Sequence, residues 1–203
     1  MKFYAFARKA VKGFFNFIYN IHIVGRENEP KDAPFIVCSN HISNADVIVL
    51  GLGIEHQLRY MAKAELFKVP LLRRLIKILG AFPINRGEAD VGALKTCLKL
   101  LSDGEVVSIF PQGKRFPKVD VRDTEPKAGV GMIAYRSGVP VLPVYLETKK
   151  NKHLIFRRNT VHIGKPIMPE EFAFEGGNKS EYERAAGLIF SRIIELAPER
   201  KDK

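Results

Sequence analysis

Three short, predominantly apolar runs constrain the fold of this chain more than any other feature. They are residues 35–38 (FIVC), 105–110 (EVVSIF) and 139–146 (VPVLPVYL). Each is too short for a helix and too uniformly apolar for a strand with one wet face, so each predicts a strand buried on both sides. Stretches with helical periodicity lie between them, at 46–52, 70–79, 88–102, 128–137 and 179–197. Further strands are expected at 20–24, 58–62, 81–84 and 153–163. Strand and helix alternate, so the predicted class is α/β: a single layered domain whose mostly parallel or mixed central sheet is flanked by helices. Pro140 and Pro143 mark 139–146 as an edge or irregular strand, because proline cannot donate to a ladder. In such sheets, sites collect where strand ends meet helix starts. The runs at 35–38 and 105–110 both lead straight into polar loops, which makes those loops the places to look for chemistry.

With 203 residues the chain suits one domain with a sizeable core. The expected division is an amphipathic helix over 1–19 and a main domain over 20–198. In residues 2–19, Phe3, Phe6, Ala7, Ala10, Val11, Phe14, Phe17 and Ile18 fall on one side of a helical projection. Lys2, Arg8, Lys9, Lys12 and Asn16 fall on the other. The cations are spread through the segment and no small-x-small cleavage site follows, which argues against a signal peptide. No stretch reaches the roughly 18 uncharged apolar residues that span a bilayer. The net charge of +11 favours an anionic partner, such as acidic lipid, a phosphorylated substrate or nucleic acid. The two cysteines, Cys38 and Cys97, lie far apart in apolar surroundings and read as reduced core residues, as expected of a cytosolic compartment.

Four segments carry candidate chemistry. In the first, Asn40 and His41 are followed by Asp46. Imidazole accepts a proton near neutral pH, and a carboxylate on its other nitrogen would fix the tautomer. Equally, the spacing suits a loop histidine and an aspartate that caps the next helix. In the second, Gly80, Phe82, Ile84 and Asn85 precede Arg86, which is either a phosphate fork or a solvated loop arginine. In the third, Phe110 and Pro111 lead into Gln112, Gly113, Lys114 and Arg115. This is a turn that either binds an oxyanion through backbone N–H groups and cations or is simply a basic surface turn. In the fourth, 138–144, the apolar strand reads as core. No Gly-x-Ser-x-Gly elbow, Walker loop, strand-linked GxGxxG or metal-ligand cluster is present, which disfavours serine hydrolysis, nucleotide binding and a metal site.

In this order, the four segments resemble the blocks of the glycerolipid acyltransferase family that includes the 1-acyl-sn-glycerol-3-phosphate acyltransferases. Asn-His-x4-Asp matches Asn40, His41 and Asp46. The second block matches Gly80, Phe82, Ile84, Asn85 and Arg86. Phe-Pro-Glu-Gly-Thr-Arg matches Phe110, Pro111, Gly113 and Arg115, and Val-Pro-Val-x-Pro-Val matches Val139, Pro140, Val141, Pro143 and Val144. The resemblance covers roughly residues 20–165. It implies acyl transfer from a thioester donor (acyl-CoA or acyl-ACP) to a lysophospholipid hydroxyl, with no cofactor and no metal. His41 is the implied base and Asp46 orients it. Asn40, Arg86, Gln112, Gly113, Lys114 and Arg115 are the implied substrate-binding residues. Gln112 and Lys114 depart from the family's glutamate and threonine, which bears on the acceptor rather than the reaction class.

The implied location is peripheral, at an anionic membrane surface on the cytoplasmic side. The basic amphipathic stretches 2–19 and 70–79 are the segments suited to lie in it, unless each simply packs on the sheet. Two other readings stand beside this one. The first is the same enzyme with another hydroxylated lipid as acceptor. The second is a non-catalytic basic module that binds membrane or nucleic acid. Against nucleic acid, no known RNA- or DNA-binding motif appears.

Overall fold

The computed structural model describes residues 13, 17–70, 73, 74, 76, 80–84, 91–149 and 156–199. Seven strands form one sheet: Ile21–Val24 (β1), Ile36–Ser39 (β2), Leu58–Lys63 (β3), Ala81–Ile84 (β4), Val106–Ile109 (β5), Val141–Thr148 (β6) and Asn159–Ile163 (β7). Among the described residues the main helices are Asp46–Gly53 (α1), Val91–Ser102 (α2), Gly129–Ser137 (α3) and Lys179–Glu195 (α4). The sheet order is β1-β7-β6-β2-β5-β3-β4. Every neighbouring pair is parallel except β6 and β7. The expected α/β architecture with a mixed sheet is therefore present. Residues 17–19 and residues 73, 74 and 76 are helical. The remainder of the amphipathic helices expected over 2–19 and 70–79 lies almost wholly outside the described residues.

Alternation along each central strand builds two cores, one on each face. Ile36 and Cys38 of β2 and Val107 and Ile109 of β5 pack with Leu101 of α2, Ile133 of α3 and Ile189 of α4. On the other face Val37, Val106, Leu142 and Val144 pack with Val49 and Leu50 of α1. Both faces are covered, which is why the three runs carry no polar alternation. Each such side chain, fully buried, contributes roughly 1.5–3 kcal/mol.

The prolines misplace the fourth run. β6 is no edge strand: it lies between β2 and β7, in register with both. Pro143 lies just beyond the end of the β6–β7 ladder, which runs from the Val144–Ile163 pair. Its carbonyl still accepts the Gly164 N–H at 2.9 Å, so the proline forfeits only the single return bond to β7 at the end of the ladder. The strand expected over 153–163 is shorter, beginning at Asn159, and its residues 153–155 lie outside the described set.

The helix α4 starts where its sequence says it should. Asn178 accepts the Glu181 N–H at 3.1 Å, and the Glu181 carboxylate turns back onto the Gly177 N–H at 2.8 Å. These bonds hold the Glu181 carboxyl below its ordinary range. Against α4, α3 presents Gly131, and a Cβ there would fall inside the envelope of the Tyr182 carbonyl oxygen. Gly131→Ala is therefore expected to push α3 from α4 and destabilise the fold by about 1–3 kcal/mol, the usual range for overpacking. A thermal melt should show this as a drop of about 2–4 °C per kcal/mol. An unchanged midpoint would mean that the helices do not meet there.

Candidate active site

β2 ends at Ser39 and the chain turns through 40–45 before α1 begins at Asp46. Asp46 is wholly buried at that helix start, and its side chain organises the turn. Its Oδ2 accepts three hydrogen bonds: from the Ile42 N–H at 2.7 Å, from the Ser43 N–H at 2.9 Å, and from His41 Nδ1 at 2.6 Å. Two of the donors are backbone groups of the turn that precedes α1. The third is the imidazole. An ionised carboxylate only accepts, so Nδ1 carries the proton and Nε2 presents a lone pair. The structure decides between the two alternatives left by the sequence: the N-cap position is Ala45, with no side-chain cap bond, and Asp46, the first helical residue, turns its carboxylate back onto the preceding turn and the histidine.

The His41 ring is 8% exposed and stacks on Phe110, with centroids 4.0 Å apart and planes 12° from parallel. Phe110 follows β5, and β5 lies directly beside β2 in the sheet. That adjacency brings the third block against the first. Its backbone and side chains clamp His41 from both directions. Gln112 Oε1 accepts the His41 N–H at 2.6 Å, and the Phe116 N–H donates to the His41 carbonyl at 2.8 Å. Arg115 reaches across as well, donating from Nη1 to Asn44 Oδ1 at 2.9 Å.

The remaining predicted residues divide into two kinds. Asn40 and Gln112 face inward. Asn40 extends the β2–β6 ladder with its side chain: Leu146 N–H donates to Oδ1 at 2.7 Å, and Nδ2 donates to the Leu146 carbonyl at 3.1 Å. Gln112 is 2% exposed and uses its other end too, donating from Nε2 to Thr124 Oγ1 at 2.8 Å. Thr124 passes its own proton to the Val121 carbonyl at 2.7 Å. With both amide functions engaged internally, these two residues position the loops, where the sequence pointed to substrate contact. Gly113, Lys114 and Arg115 face outward and are exposed. Gly113 takes φ of 69°, a left-handed turn conformation that other residues rarely adopt. Lys114 Nζ sits 5.0 Å from the centre of the Phe116 ring. Arg86 lies outside the described residues.

Two participants escaped sequence reasoning. Phe110 looked like the end of a core strand, and Thr124 lies in a loop with no motif. Only the sheet order reveals the first, and only the Gln112 contact reveals the second. The cysteines behave as expected core residues: both are free and buried, and burial pushes the Cys97 thiol up to about 12 and that of Cys38 higher still. Neither suits a nucleophile. Among the described residues, no His, Cys, Asp and Glu side chains group so as to hold a metal ion.

This arrangement pairs a base-competent imidazole with a cationic turn at the C-terminal edge of a parallel sheet. Comparisons with known proteins agree with it. The family model described as Acyltransferase matches residues 20–147, the span that contains all four blocks. The 1-acyl-sn-glycerol-3-phosphate acyltransferase of Bacillus subtilis is 32% identical over 173 residues, 84% of this chain and 85% of that protein. A chloroplastic 1-acyl-sn-glycerol-3-phosphate acyltransferase of Arabidopsis thaliana is 34% identical over 131 residues, and there the match spans 36% of the longer plant protein. Among solved structures, the 1-acyl-sn-glycerophosphate acyltransferase PlsC of Thermotoga maritima superposes with a TM-score of 0.63 at 30% identity, over 89% of this chain and 74% of that one. With the family's model running through β2, β5 and both loops at His41, and a bacterial relative aligned along most of its own length, the chain belongs to the acyltransferase family.

Proposed function

We propose that this enzyme transfers a fatty acyl group from a thioester donor to the free sn-2 hydroxyl of 1-acyl-sn-glycerol-3-phosphate, making phosphatidic acid for phospholipid biosynthesis. One observation carries the chemistry: the 2.6 Å bond from His41 Nδ1 to Asp46, which leaves Nε2 with its lone pair on a residue whose backbone is bonded to the loop that carries Lys114 and Arg115. Nε2 accepts the proton of the acceptor hydroxyl as its oxygen attacks the thioester carbonyl. The new C–O bond forms, the tetrahedral centre collapses, and the C–S bond breaks. The imidazolium then returns the proton to the departing thiolate. Asp46 stabilises the charged imidazole between those steps. No acyl-enzyme is required, in keeping with two thiols that burial keeps protonated.

Arg115, Lys114 and Arg86 are the cations proposed to hold the acceptor phosphate, with guanidinium groups best suited to it. The donor is a coenzyme A or acyl carrier protein thioester. The enzyme works as a peripheral protein at the cytoplasmic face of an anionic membrane. A charge of +11 supports that reading, and no helix among the described residues is long and apolar enough to cross a bilayer. A different acceptor was suggested by Gln112, but that side chain spends its polar atoms on His41 and Thr124 and favours no particular lipid.

His41→Ala is expected to lower turnover by roughly 100- to 10,000-fold, the span general base catalysis supplies, while the protein still folds. The assay follows thiol release and product lipid together, with lysophosphatidic acid and other lysophospholipids as acceptors and both donor carriers. Activity near that of the unaltered enzyme would remove His41 from the mechanism. Gln112→Leu separates positioning from binding. It strands the His41 N–H in a buried site, at about 1–3 kcal/mol. The expected kinetic pattern is a fall in kcat with the acceptor KM unchanged. A rise in KM alone would instead put Gln112 on the acceptor.

A further inference from the structure

A cavity among the described residues shares no lining residue with the His41 site. It measures about 390 Å³ and is lined by Phe67, Lys68, Pro70, Arg73 and Arg74. Three of its five lining residues are exposed cations, and none of the three has a carboxylate partner among the described residues. Between residues 64 and 80 the sequence offers a single acid, Glu65. Two apolar side chains stand out beside these cations, Leu66 at 40% and Val69 at 51% exposure. Unpaired cations around a concavity, flanked by projecting aliphatic groups, match an anionic headgroup layer with acyl chains beneath it. A soluble anion would have no use for Leu66 and Val69, and a duplex nucleic acid would pay to bury them.

Position adds to the argument. The segment 64–68 leaves the C-terminal end of β3, and the loop bearing His41 leaves the C-terminal end of β2. One strand, β5, separates the two in a parallel run, so both lie on the same edge of the sheet. At roughly 5 Å per strand they are offset laterally by roughly 10 Å. A surface resting on Leu66, Lys68 and Val69 therefore lies against the edge where the dyad opens.

We infer that the surface formed by Leu66, Lys68, Val69, Arg73 and Arg74 docks the enzyme on the anionic phospholipid headgroups of a bilayer, with Lys68, Arg73 and Arg74 taking phosphate and Leu66 and Val69 entering the interface. This rests on the lipid-acceptor reading of the active site and names the surface that delivers it. The patch needs no contact with His41, so the two readings fail separately.

The test is flotation of the full chain with vesicles of equal parts phosphatidylglycerol and phosphatidylcholine, and with vesicles of phosphatidylcholine alone. Alongside it runs acyl transfer to a short-chain, water-soluble lysophosphatidic acid. Binding is expected on the anionic vesicles only and should weaken steeply with salt. Arg73→Ala with Arg74→Ala is expected to lower it roughly thirty-fold, from about five-fold for each cation lost at an anionic surface. Leu66→Ser with Val69→Ser should lower it too, without removing its salt dependence. All these side chains are exposed, so the melting midpoint and transfer to the soluble acceptor should not move. Unchanged flotation in both double variants would overturn the proposal, as would absent binding by the unaltered chain. So would full displacement by millimolar inorganic phosphate, which would make this a soluble-anion site. Loss of transfer to the soluble acceptor in the unaltered enzyme would instead count against the proposed reaction and leave the docking result standing.

Discussion

The carboxylate of Asp46 holds the site together because one oxygen does two jobs. It satisfies the Ile42 and Ser43 N–H groups at the mouth of α1, and it grips His41 Nδ1. Backbone donors drawn out of water in this turn need an acceptor in any case. By supplying it from Asp46, the fold fixes the carboxylate before the imidazole arrives, and the imidazole then has only one orientation in which Nδ1 is bonded. The five-residue spacing of His41 and Asp46 follows from this, since a tight strand-to-helix turn is the local structure that lets both sets of bonds close on one oxygen.

The turn alone would not hold His41 still. Its ring lies on Phe110 and its backbone is bonded at both N–H and carbonyl by the loop after β5. Those partners are some 70 residues away in sequence: His41 and Gln112 are 71 apart. They meet only because β5 inserts beside β2. Formation of the sheet and assembly of the site are thus one event. A change that shifts β5 against β2 would displace the stacking partner and both backbone anchors together, even with Asp46 untouched.

The sequence disclosed most where a residue's surroundings are local. The three apolar runs are buried strands, and the His41–Asp46 pair lies at the predicted strand-to-helix turn. The outward-facing Gly113, Lys114 and Arg115 lie on the predicted turn after the third run. It disclosed least where partners are distant. Pro143 argued for an edge strand, because a sequence shows a missing N–H and not the place where the neighbouring ladder stops. Asn40 and Gln112 looked like ligands, because polar residues in a motif loop carry no mark of which way they face. Thr124 carried no signal at all.

Gln112 shows how such an inward-facing residue departs from its family's pattern. A glutamate here would still accept the His41 N–H, but its second oxygen would meet Thr124 Oγ1 acceptor to acceptor. Thr124 would then have to turn its proton from the Val121 carbonyl to the carboxylate, leaving that carbonyl short of a donor. With glutamine, the amide N–H donates to Thr124, and Thr124 keeps its bond to Val121. Every donor in the chain from His41 to Val121 has an acceptor, with no second charge buried beside the Asp46 carboxylate. The substitution preserves the hold on the His41 backbone and loses only the charge. For this reason it leaves the support of His41 in place and need not change what the enzyme acylates.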